Sequence, residues 1–159
     1  MQYPIVFSHI GISVPDIEKA IEFYKEVFGW YHLAGPWTIK RDGGPSSNFC
    51  DTVYGENWTG FKLAHMSTGD RIGIELLEFE GSYPAKEWEF KKHGVFHFGI
   101  TVPSYEEFLK KLEAYGGKQR SLVNKRDVRG TIYAAVYAED PFGNIFEIYT
   151  HSYEVMSKP

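Results

Sequence analysis

Residues 7–15 read FSHIGISVP and residues 96–103 read FHFGITVP. At a constant offset of 88, His9 falls on His97, Gly11 on Gly99, Ile12 on Ile100, Val14 on Val102 and Pro15 on Pro103. In the first copy Ile10, Ile12 and Val14 share one face of a strand, and His9, Gly11 and Ser13 take the other. In the second, Phe98, Ile100 and Val102 oppose His97, Gly99 and Thr101. Each copy therefore presents a histidine and a glycine together on the face away from its apolar stripe.

A helix follows each strand. Ile17, Ala20, Ile21, Tyr24 and Phe28 recur at helical spacing, with Gly29 as the stop. In the second copy Tyr105, Phe108, Leu109 and Leu112 do the same, and Gly116-Gly117 ends the run. Beyond the helices, residues 61–66, 71–79, 131–138 and 144–150 are short runs rich in aromatic and β-branched residues. STGD and EDPFGN are the turn signals between them. The reading is a duplicated β-α-β-β-β module in an α+β chain. Residues 1–79 form the first module, 80–92 the linker and 93–159 the second module.

The halves differ in length, with 66 positions from His9 to Glu75 and 50 from His97 to Glu147. The surplus falls in residues 34–60, rich in Gly, Pro, Ser and aromatics, which read as a long mobile loop or lid.

Composition narrows the partners. A net charge of −4 and a pI near 5.9 argue against a nucleic-acid surface, and the Lys91-Lys92 and Lys125-Arg126-Arg129 clusters read as solvated faces. Aromatic residues make up 17% of the chain, a share that suits a ring-lined pocket. Cys50 is the only cysteine, so no intrachain disulfide and no cysteine-rich zinc motif is expected. The opening MQYPIVFSHI shows no basic leader, and no run approaches the roughly 20 apolar residues of a membrane span. A cytoplasmic protein without membrane partners is the expectation.

Each half also carries a late strand with one glutamate among apolar neighbours: Glu75 in RIGIELLEF and Glu147 in GNIFEIYT. A twofold-like relation between the halves would bring both His–Glu pairs toward one point. Two imidazoles and two carboxylates converging there make a divalent-metal site. His32, His65, His93 and His151 lack such counterparts and read as ordinary histidines. His151 shares a strand face with Glu147 and is the expected outer partner. Cys50 reads as incidental.

The motifs HIGISVPDIEKAIEFYKEVFG and DPFGNIFEIY resemble signatures of the vicinal oxygen chelate superfamily, the glyoxalase, epimerase and extradiol dioxygenase group. The resemblance covers residues 5–151 apart from 34–60. It implies two βαβββ modules curling into an open, cupped barrel around a metal, with His9, Glu75, His97 and Glu147 as ligands. Zn, Co, Ni, Mn or Fe would suit that nitrogen and oxygen shell. It also implies a homodimer and a small-molecule carbonyl or acyl-thioester substrate.

Within the group the reaction stays open. Extradiol dioxygenases resemble the chain in the Tyr137-to-Glu147 spacing, but they draw two His and one Glu from a single module. No histidine lies between His97 and His151 to complete that triad in the second half. Glyoxalase I enzymes use a two-module ligand set but carry an arginine where this chain has Ser13. Methylmalonyl-CoA epimerases are similar over HIGISVPDIEKAIEFY, GDRIGIELLE and GVFHFGITV, with Glu56 the carboxylate nearest their general base. Proton abstraction next to a metal-bound carbonyl is the shared expectation, with Glu147 or Glu75 as base. Metal-free drug-binding relatives are the non-enzymatic alternative, and Trp37, Phe49, Tyr54 and Trp58 would suit that role.

Overall fold

A computed structural model describes residues 4–83, 90–91, 93–128 and 130–157. The chain divides into two compact units, Met1–Tyr83 and Pro84–Pro159. Most of the linker expected at 80–92, namely residues 84–89 and 92, lies outside the described residues, as does Arg129 of the second basic cluster.

Unit 1 runs β1 (His9–Ser13), α1 (Ile17–Phe28), β2 (Tyr31–Lys40), α2 (Pro45–Tyr54), β3 (Gly60–Ser67) and β4 (Gly73–Phe79). Its sheet has the order β1-β4-β3-β2, so the first and last strands lie side by side and parallel. Asp16 caps α1 by accepting from Lys19 N at 3.1 Å. Gly29 ends it in the left-handed conformation at φ 69°. The helix buries Ile17, Ala20, Ile21, Tyr24 and Val27. Ile12 of β1, Val14 just beyond it, Ala64 and Met66 of β3, and Ile74 and Leu76 of β4 are buried too. Each buried Ile, Val, Leu or Met side chain among them contributes about 1.5–3 kcal/mol. Glu78 joins helix to sheet, accepting from Ile17 N at 2.8 Å.

Unit 2 runs β5 (Phe98–Thr101), α3 (Tyr105–Ala114), β6 (Lys118–Gln119), β7 (Asn124–Val128), β8 (Thr131–Glu139), β9 (Ile145–Tyr149) and α4 (Tyr153–Ser157). The order β5-β9-β8-β6, with β7 also on β8, repeats the parallel pairing of first and last strands. Ser104 caps α3 by accepting from Glu107 N at 3.2 Å. Leu109, Leu112, Val136, Ala138, Phe146 and Ile148 are buried. The expected EDPFGN turn is built on Asp140, 2% exposed, whose Oδ1 accepts from Phe142 N and Asn144 N at 2.9 and 2.8 Å.

Residues 34–60 are not a structureless loop. They hold most of β2, which bulges between Ala34 and Trp37, and the helix α2. Pro45 sits at the first helical turn, where its missing N–H does no harm. Tertiary contacts fix the rest. Asp51 Oδ1 accepts from Arg41 Nε at 2.8 Å and from Trp58 Nε1 at 2.9 Å, and Arg41 Nη1 donates to Glu56 O at 3.1 Å.

Candidate metal centre

The side chains singled out by the repeat stand where strand parity puts them. In unit 1 the parallel register pairs Gly11 with Glu75 and His9 with Gly73. His9 and Glu75 thus share the face opposite α1, and His9 Nε2 lies 3.9 Å from Glu75 Oε2. In unit 2 Gly99 pairs with Glu147, and His97 Nε2 lies 3.7 Å from Glu147 Oε2. Gly73 is what lets His9 lie beside β4, since a Cβ there would stand 2.9 Å from His9 Cβ.

The two carboxylates keep different company. Glu75 is 38% exposed at its side chain and has an imidazole on each side. His65, directly across the β3–β4 ladder, places Nε2 3.7 Å from Glu75 Oε1, while its ring meets Trp37 edge-on at 5.4 Å. Tyr54 of α2 feels the same carboxylate. Burial, helped by the neighbouring Cys50 and Glu75, pushes its phenol above the ordinary range.

Glu147 is only 14% exposed at its side chain. Tyr137 stands opposite it across the β8–β9 ladder, and Tyr149 follows two residues on along β9. Burial first, then the neighbouring Glu147, pushes Tyr149 up to about 12. Tyr137 is raised as well, by burial and by the Glu147 charge. His97 packs edge-on against Phe96 at 4.3 Å and Tyr137 at 5.2 Å. Its Nδ1 is buried and has no hydrogen-bond partner among the described residues. A buried imidazole left so costs about 1–3 kcal/mol, which points to a functional reason for keeping it.

Strand parity missed three neighbours that the cross-strand register supplies. His65 is opposite Glu75, Tyr137 is opposite Glu147, and Tyr149 is one strand repeat beyond it. His65 is therefore not the ordinary histidine that its lack of a counterpart suggested. His151, expected as the outer partner of Glu147, instead accepts from Ser152 N at 2.8 Å and packs on Tyr133 at 4.8 Å. Tyr137 is the residue opposite Glu147 across the ladder.

The pairs fit a divalent ion in donor chemistry and in spacing. Donors about 2.0–2.2 Å from one ion lie roughly 3–3.5 Å from each other. The 3.7 and 3.9 Å gaps exceed a hydrogen bond and need only small side-chain rotations to close on an ion. Among the described residues no three His, Cys, Asp or Glu side chains stand close enough to hold a metal together. His9 and His65 flank Glu75 from strands on opposite sides of β4. Each unit brings a pair rather than a complete shell.

Two units, each pairing its first and last strands in parallel, with a histidine on or just before the first and a glutamate on the last, define a duplicated-module α+β protein. Residues 6–148 match the Glyoxalase/Bleomycin resistance protein/Dioxygenase superfamily, and the chain belongs to it. Lactoylglutathione lyase GLX1 of Arabidopsis thaliana is 25% identical over 142 residues, 89% of this chain but 43% of that protein, so the chain spans under half of that relative. A glyoxalase family protein from Bacillus cereus is similar in fold at a TM-score of 0.73 and 18% identity, covering 93% of this chain and 95% of that one. A mutant of the fosfomycin resistance protein FosX from Listeria monocytogenes, complexed with Mn(II) and 1S,2S-dihydroxypropylphosphonic acid, has a TM-score of 0.58 at 17% identity. It covers 98% of this chain and all of that one.

Proposed function

We propose that this chain is a metal-dependent enzyme that removes a proton next to a substrate carbonyl, with His9, Glu75, His97 and Glu147 as the ligand set. The observation that carries the reading is the recurrence, in two separate units, of one His–Glu pair at the same register beside a glycine. A divalent ion, when bound, supplies Lewis-acid polarisation of the carbonyl oxygen. The chain's own residues do the rest. His9 and His97 offer imidazole nitrogens, and Gly11 and Gly99 leave room beside the carboxylates. A glutamate within hydrogen-bond reach of the substrate carbon takes the proton.

The preferred substrate class is an acyl thioester, as in a methylmalonyl-CoA epimerase, with return of the proton to the opposite face. Ser13 in place of an arginine, and GDRIGIELLE across the β3–β4 turn, support it. The second reading, a glyoxalase I-like lyase, is favoured by the similarity to lactoylglutathione lyase. The four donors would meet either within one chain or across a homodimer.

Metal analysis after reconstitution, with deuterium incorporation into racemic methylmalonyl-CoA and lactoylglutathione formation from methylglyoxal and glutathione, tests both. Binding of about one divalent ion per site, with at least a tenfold loss of affinity in His97→Ala, is expected. A protein that binds none of Zn, Co, Ni or Mn refutes the reading. Lactoylglutathione formation without thioester exchange transfers the assignment to the lyase.

A further inference from the structure

The sheet of unit 1 carries a helix on each face. α1 takes the face of Ile74, Leu76 and Glu78, whose Oε2 accepts from Ile17 N. α2 takes the other. Tyr54, its last residue, meets Phe61 edge-on at 5.7 Å and Phe79 at 5.1 Å. Those two rings are opposite each other in the β3–β4 ladder, and Phe79 shares a strand face with Glu75. The helix brought by the surplus segment therefore stands on the His–Glu face.

Between Glu75 and Phe79 on that face lies Leu77. Its ladder partner is Leu63, and the β2 partner of Leu63 is Trp37. These three side chains make one apolar row across the strands, next to the row of Glu75 and His65. Leu63 and Leu77 are only half-buried, and Trp37 is 48% exposed. Rows two residues apart on a strand are separated by about 6.6 Å, close to the width of one six-membered ring. Tyr54, lying over Phe61 and Phe79, closes the far end of the row.

Unit 2 has nothing equivalent. At the same register positions around Glu147 stand Tyr149 for Leu77, Ala135 for Leu63 and Asn124 for Trp37. Part-exposed apolar side chains beside convergent polar groups suit ligand recognition. The row carries no charged side chain, so a charged substituent laid on it would lose hydration without a partner there. A neutral apolar one would only gain by leaving water.

Resting on the reaction proposed above, we propose that this row is a specificity-determining subsite. It receives a neutral, ring-sized substituent of the carbonyl substrate, with Trp37 as its side wall and Tyr54 as its end stop. The segment that lengthens unit 1 thus selects substrates bulkier than a methyl-bearing one.

The first test needs neither metal nor turnover. Fluorine NMR of 4-fluorophenylacetone, a carbonyl compound carrying one ring, should show binding to the full metal-free chain. Trp37→Ala and Leu63→Asn should each weaken it at least about fivefold, while Asn124→Ala, at the counterpart position of unit 2, leaves it unchanged. A fluoronaphthyl analogue should bind the parent less tightly than the phenyl probe and gain affinity in Tyr54→Ala. Urea melts of the variants establish that they are folded. Failure of the phenyl probe to bind the parent, or binding within twofold of the parent in both Trp37→Ala and Leu63→Asn, overturns the subsite. The second test compares deuterium exchange into phenylacetyl-CoA and propionyl-CoA in the metal-loaded chain, each divided by its uncatalysed rate. The ratio should favour the ring at least about tenfold and shrink in Trp37→Ala. Exchange with a ratio below twofold in the parent means that the row does not serve the reaction, and overturns the proposal. Probe binding that depends on Trp37, with no exchange into either thioester, rejects the reaction and leaves the subsite standing.

Discussion

Replacing Gly73 by alanine should cost unit 1 stability and disturb its half of the site together. The new Cβ would stand 2.9 Å from His9 Cβ and 3.4 Å from Ser8 O. Carbon atoms rest about 3.5–4.0 Å apart, so β1 and β4 must separate locally by roughly 0.6–1 Å. Such overpacking costs about 1–3 kcal/mol. The Gly73 N to Ser8 O hydrogen bond, 2.8 Å in the parent chain, lengthens with it. A loss near 2 kcal/mol is about a thirtyfold change in the folded-to-unfolded ratio and moves a urea midpoint by roughly 1 M. Trp30, Trp37 and Trp58 all lie in unit 1, so tryptophan fluorescence during urea unfolding reads the effect. Gly69→Ala is the control, because nothing lies within 4 Å of its added Cβ, and it should stay within about 0.5 kcal/mol of the parent. Metal affinity of Gly73→Ala should fall alongside, since His9 is the residue displaced. An unchanged midpoint, or a lowered midpoint with parental metal affinity, would refute the claim that this glycine sets the His9–Glu75 spacing.

Other outcomes follow from the same geometry. Tyr149 is held protonated up to about 12, above its ordinary value of 10, so it stabilises the fold fully below pH 10 and less as pH rises toward 12. Ultraviolet titration of the metal-free chain should show a late phenolate step near pH 12 that Tyr149→Phe removes. Asp51→Ala removes the acceptor shared by Arg41 and Trp58 and should speed hydrogen exchange across α2, residues 45–54, while leaving β3 and β4 protected. Equal exchange in parent and variant would mean that this clip does not hold the helix. Phe146→Ala, at a fully buried ring facing Phe98 and Phe108, should cost about 3–5 kcal/mol in a thermal or urea melt.

What could be read in advance follows the physics of strands. Side chains alternate with period two, so His9 of β1, His97 just before β5 and the glutamates of β4 and β9 declared their faces directly. Which residue stands opposite which depends on ladder register, and that is set by turns and core packing rather than by local pattern. His65 and Tyr137 therefore stayed hidden until the β3–β4 and β8–β9 pairings were known. The helix α2 was missed for a related reason. PSSNFCDTVY is poor in strong helix formers and carries a weak apolar stripe, so it owes its form to Arg41, Asp51 and Trp58. The bulge between Ala34 and Trp37 likewise broke the alternation that would have announced β2.

The parallel pairing of first and last strands has a kinetic side. His9 and Glu75 lie 66 positions apart in the chain, and His97 and Glu147 lie 50 apart. Neither His–Glu pair can form early as a local hairpin, so each closes late, when its whole unit has folded. The entropy of closing a loop grows only with the logarithm of its length. Lengthening the span from 50 to 66 positions therefore adds only about 0.2 kcal/mol. The segment bearing α2 thus enlarges the span without a comparable folding penalty. Surface can grow between those strands while the His–Glu pair keeps its register.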